Sequence, residues 1–77
     1  MTTVDTEHLS KRLTSLGVAR SEAEARLLAE ARRELDMAEL HTLALNAGMS
    51  LAADFVRHAE ANVESLLYAI RVLRGVA

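Results

Sequence analysis

The sequence predicts an all-α protein: an antiparallel hairpin of two long helices behind a short N-terminal one. Three observations predict it. Proline is absent from the 77 residues and glycine occurs only at 17, 48 and 75, so the chain has three natural helix stops and no breaker between them. Ala52, Val56, Ala59, Val63, Leu66, Ile70 and Leu73 alternate spacings of four and three, the pattern of a heptad seam. Ser21 and Glu24 form a capping box, which places a helix start just after the first glycine.

The first helix, expected over about 4–16, begins near Thr3 or Asp5 and carries Leu9, Leu13 and Leu16 at helical spacing. Gly17 ends it, with Val18 placed to pack back on the last turn. The second is expected over 22–46. In its capping box the Ser21 hydroxyl accepts from the Glu24 amide, and the Glu24 side chain reaches back to the amide of Ser21. Glu22/Arg26, Arg26/Glu30 and Arg32/Asp36 stand at i,i+4 on a solvated face. The third helix is expected over 51–74, with Ser50 as its cap, Asp54 in its first turn and Arg71 and Arg74 in its last, all matching the helix dipole.

Each long helix holds about 24 residues and so spans about 36 Å, and the short turn between them forces them antiparallel. Leu28, Ala31, Leu35, Ala38, Thr42 and Leu45 answer the seam of the third helix from the second, giving coiled-coil-like packing. The seam does not use every apolar residue. Met37, Leu40, Ala44 and Ala47 form a second stripe on the side of helix two opposite the seam, and Phe55 and Leu67 flank the seam of helix three. Apolar residues also surround the last three turns of helix three, Ile70 and Leu73 among them. A domain of this size buries only about 60% of its unfolded surface, so help from a partner is expected. Met37, Leu40, Ala44, Ala47, Phe55, Leu67, Ile70 and Leu73 are the candidate partner-binding residues, and pairing of hairpins into a helical bundle is the economical arrangement.

Composition excludes several classes. With no cysteine there is no disulfide, thiolate metal site or cysteine nucleophile. The polar, acidic start has none of the features of a secretory signal, and no apolar run approaches the roughly 20 residues needed to span a bilayer, so a cytoplasmic protein is expected. The net charge of −2 is distributed as +1 over 1–20, −3 over 21–50 and 0 over 51–77, which gives no basic segment for a phosphate backbone. His8, His41 and His58 have Glu7, Glu39 and Glu60 nearby, but Glu39/His41 and His58/Glu60 are i,i+2 pairs that diverge, where a di-iron bundle needs Glu-x-x-His. Only Glu34 and His41 share a face. Ser65, His58 and Asp54 sit on one helix with no orienting loop. No enzyme, metal site or cofactor is therefore expected.

One motif points elsewhere. The stretch "LALNAGMS", residues 43–50, is similar to the first helix and turn of the helix-turn-helix in tetracycline-repressor-type regulators, a resemblance of about ten residues that would imply a DNA-binding regulator. Beyond it, Asp54 and Arg57 stand where that fold packs apolar side chains, and the seam runs on from Ala52 to Leu73 as one long helix. Gly48 as a left-handed C-terminal residue explains the motif as a hairpin bend. The expected function is a protein–protein interaction or assembly subunit that homo-oligomerises or docks on a larger complex. A small helix-turn-helix regulator and a metal or ligand carrier in a bundle core are the alternatives.

Overall fold

A computed structural model describes residues 6–75 and has three helices, α1 (Glu7–Ser15), α2 (Glu22–Asn46) and α3 (Ala52–Leu73). The expected start of the first helix at Thr3 or Asp5 lies outside the described residues. α2 and α3 pack along their length as an antiparallel hairpin, and α1 rests on both at the end away from the turn. Leu9 and Leu13 of α1 enter a core cluster with Ala31 and Leu35 of α2 and Val63 and Leu67 of α3, with Leu16, Leu28 and Leu66 around it.

The buried residues of α3 are Ala52, Val56, Ala59, Val63, Leu67 and Ile70. This corrects the expected seam at two places: Leu67, at 2% exposure, takes the position expected of Leu66, and Leu73 is exposed. From Ala52 to Ile70 the buried set covers eighteen residues in five turns, which is the period of a straight α-helix. A heptad drifts from that period by about 20° per repeat, and α1 approaches from the side of Leu67, so burial follows the drift. The last turns of α3 are not covered all round, since Tyr68 and Val72 are exposed as well.

The α2–α3 turn is a Schellman motif. Gly48 N–H donates to the Leu45 carbonyl (3.0 Å) and Met49 N–H to the Ala44 carbonyl (3.1 Å), with Gly48 at φ +101°. Ser50 does not cap α3 through its side chain. The chain enters that helix by tight turns in which Ala52 N–H donates to Met49 O and Ala53 N–H to Ser50 O, leaving Leu51 at the N-cap. Gly48→Ala is expected to destabilise the protein by about 1 kcal/mol, because an L side chain at this φ is strained although the space around it is open. Urea denaturation checks it, and a stabilised variant would mean that α2 and α3 run together as one helix.

The far end of the hairpin is closed by a buried ion pair. Glu24, 3% exposed, receives Arg74 Nε and Nη2 on its Oε1, each at 2.9 Å. Arg74 also donates from Nη1 to the Leu16 carbonyl (2.9 Å) and from Nη2 to the Val18 carbonyl (3.3 Å), so one guanidinium joins the end of α3 to the α1–α2 loop. The Ser21 hydroxyl accepts from the Glu24 amide at 3.2 Å, the first half of the capping box. The second half is displaced by one residue: the Glu24 carboxylate accepts from the Arg20 amide (3.2 Å) rather than that of Ser21, because Arg74 holds it over the loop. Val18 does not pack back on α1. Its carbonyl turns in to Arg74 and its side chain is 89% exposed.

Candidate functional site

α1 covers only one side of the hairpin. Successive residues of a helix are about 100° apart, so Glu64 lies to one side of the buried Val63 and Asn62 to the other. Arg12 of α1 pairs with Glu64 at 2.7 Å, which places α1 on the Glu64 side. Asn62 lies on the other side, which none of the described residues covers, and its amide donates to Glu34 Oε2 across the hairpin at 3.4 Å. Nearer the turn, on the same side, the rings of His41 and Phe55 stack with centroids 5.1 Å apart and planes inclined by 19°. His41 is therefore half-buried against an aromatic ring, and Glu34, two turns from it, is engaged by Asn62.

The candidate partner-binding residues divide into two groups. Met37, Leu40, Ala47, Phe55 and Leu73 are exposed and Ala44 is half-buried, so these remain at or near the surface. Leu67 and Ile70 are the correction: they are buried in the chain's own core, Leu67 in the cluster that α1 closes, and present no area to a partner. The reason is again the straight-helix period, which turns Leu67 inward.

Leu43, Met49 and Leu51 were not among the candidates and are exposed, Leu51 at 80%. A signal for Leu43 was present in the sequence, since it lies off the 28–45 seam and beside Leu40 and Ala47 on the helix surface. Leu51, expected inside the helix behind a serine cap, is itself the N-cap. With these residues included, the second half of α2 leaves Met37, Leu40 and Leu43 exposed, the turn Met49, and the start of α3 Leu51 and Phe55, at exposures from 47% to 80%. The charges around them are partly spent: Arg57 is paired to Asp54 at the start of α3. In the first half of α2, by contrast, the outer face is ionic, with Arg26 on Glu22 (3.0 Å) and Arg33 on Glu30. Among the described residues no three His, Cys, Asp or Glu side chains are placed to hold a metal ion, and no helix is long and apolar enough to cross a membrane. No protein-family model, curated protein or solved structure matches the chain.

Proposed function

We propose that the protein is a small helical interaction or assembly subunit, which self-associates or docks on a larger complex through the uncovered side of its hairpin and the outer face of α2 near the turn. In this reading it is a binding protein and not an enzyme. The observation that carries the proposal is that six large apolar side chains, from Met37 to Phe55, are left exposed in the half of the hairpin nearest the turn. Isolated exposed apolar residues are ordinary, but a contiguous patch beyond a few hundred Å² marks a contact surface. Covering it would return roughly 25 cal/mol for each Å² of apolar area removed from water. The ionic outer face of the first half of α2 supports the same division, with one half built for solvent and the other for contact.

Sedimentation equilibrium at micromolar concentration is the direct test, with native mass spectrometry of protein taken from its host to catch foreign partners. Species heavier than the 8.4 kDa chain are expected. A single chain-mass species by both methods would overturn the proposal. Duplex DNA is not the expected partner, because the one basic side chain in the first two turns of α3, Arg57, is already paired with Asp54. Selection from a random duplex library at low salt is expected to enrich no motif. A recovered motif abolished by Arg57→Ala would replace the interaction reading with a regulator.

A further inference from the structure

We infer that α1 is a hinged cover: it lifts from the hairpin as a unit while α2 and α3 stay paired, and Arg74 is the latch that sets how often it opens. This goes beyond the interaction reading above and does not depend on it.

The hairpin keeps a core of its own when α1 leaves. Ala38, Ala52, Val56 and Ala59 are buried toward the turn, outside the cluster that α1 enters. α1 has no such reserve. It is nine residues long, fewer than the roughly 12–15 that a helix needs to persist alone in water, so it is helical only while docked. Its hold on the hairpin consists of Leu9, Leu13 and Leu16 and of the Arg12–Glu64 pair. The side chains of that pair are 43% and 47% exposed, so the pair is weak. An element with few buried contacts opens at a lower free energy than the body it rests on.

The segment joining α1 to α2, residues 16–21, is built as a hinge with one fastening. Val18 and Arg20 turn their side chains to solvent, and Gly17 sits at φ +70° with open space around it. Such a joint absorbs rotation without repacking anything. The fastening is on the main chain. Arg74 donates from Nη1 to the Leu16 carbonyl and from Nη2 to the Val18 carbonyl, and the Arg20 amide donates to the Glu24 carboxylate that Arg74 holds. Leu16 is the C-cap of α1, so its carbonyl belongs to the end that the helix leaves without internal donors. The guanidinium supplies that end with a donor and with a positive charge that suits the helix dipole. One side chain from α3 therefore fixes α1 at its hinge. When the cover lifts, the strip around Leu35, Val63 and Leu67 meets water, an apolar surface that the closed form hides.

Amide hydrogen exchange of the full chain in rising, sub-denaturing urea tests this. The amides of α1 from Ser10 to Gly17 are expected to exchange at least about tenfold faster than those from Val56 to Val63 in α3. Their dependence on urea should also be weaker, because opening exposes only part of the surface that unfolding does. Val56→Ala, in the seam near the turn, should speed the α3 amides about tenfold and leave the α1 amides as they were, since that seam is intact in the open form. Arg74→Lys keeps the charge but not the fork, and should speed α1 exchange at least about fivefold, the equivalent of one net hydrogen bond. Glu24→Gln, which frees the arginine without removing it, should act in the same direction. One common urea dependence for all amides, with Val56→Ala speeding α1 as much as α3, would overturn the cover. So would α1 amides that exchange as in an unfolded chain, because a cover must first be closed. An α1 rate that neither Arg74→Lys nor Glu24→Gln changes would overturn the latch.

Discussion

Leu67→Ala is expected to cost about 2–5 kcal/mol of unfolding free energy, a large part of what a domain of this size possesses, and its neighbour Leu66→Ala distinctly less. Leu67 is 2% exposed in the cluster that α1 closes, so truncating it opens a cavity among Leu9, Leu13, Leu35 and Val63. Leu66 is half-buried and sits toward the uncovered side. Its truncation should also cost more as protein concentration rises, because whatever stability self-association lends is drawn partly from that side. Urea denaturation of both variants at two concentrations reads the difference. The reverse order, Leu66 dearer than Leu67, would restore the heptad register and remove α1 from the place described for it.

Arg74→Met is expected to lower the melting temperature far more than Arg26→Ala, although each removes one arginine from one glutamate. The Arg26–Glu22 pair is exposed, and such pairs contribute at most about 0.3–0.5 kcal/mol. Loss of Arg74 strands the Glu24 carboxylate in a site closed to solvent and leaves the Leu16 and Val18 carbonyls without their donor. Adding Glu24→Gln to Arg74→Met should recover part of the loss, because no buried charge then remains. Equal melting temperatures for Arg74→Met and Arg26→Ala would show that the pair is ornamental.

The same pair gives stability an acid limit. The hydrogen bond from Arg74, helped by the Arg20 amide and opposed by burial, holds the Glu24 carboxyl below its ordinary range. A carboxyl depressed in the folded state stabilises fully above its unfolded pKa, about 4.3, and that contribution is lost as pH falls through the folded value. Wild type should therefore lose stability below about pH 4 more steeply than Glu24→Gln. Parallel acid titrations of the two would mean that Glu24 titrates as a free side chain.

Much of this architecture was legible in the residues. Gly48 and the absence of proline placed the bend, the Ser21 hydroxyl placed the start of α2, and the alternation of large and small residues from Leu28 to Leu45 marked the face that packs on α3. Those signals are local, and local geometry decides them. What the sequence concealed depends on a third body or on long range. Whether Leu66 or Leu67 turns inward is a matter of roughly 100° on the helix, and it is decided by the side on which α1 rests. Arg74 looked like an ordinary cation at a helix end, since nothing near it in the chain announces Glu24. The exposed group around the turn was half legible: the stripe from Met37 to Ala47 was visible as surplus, while Leu51 was hidden by a serine that offered itself as a cap and was not used.

The ion pair between Glu24 and Arg74 joins residues 50 positions apart, and this sets an order of events during synthesis. A ribosome adding about 5–20 residues each second makes Glu24 some 3–10 s before its arginine exists. Through that interval α2 can coil and its capping serine can engage, but the carboxylate has no cation and the loop carbonyls of Leu16 and Val18 have no donor. Until then α1 is held by its leucines and, once Glu64 has been made, by Arg12. Closure waits for a side chain made 50 residues after its partner, so this end of the hairpin is sealed only once α3 is complete.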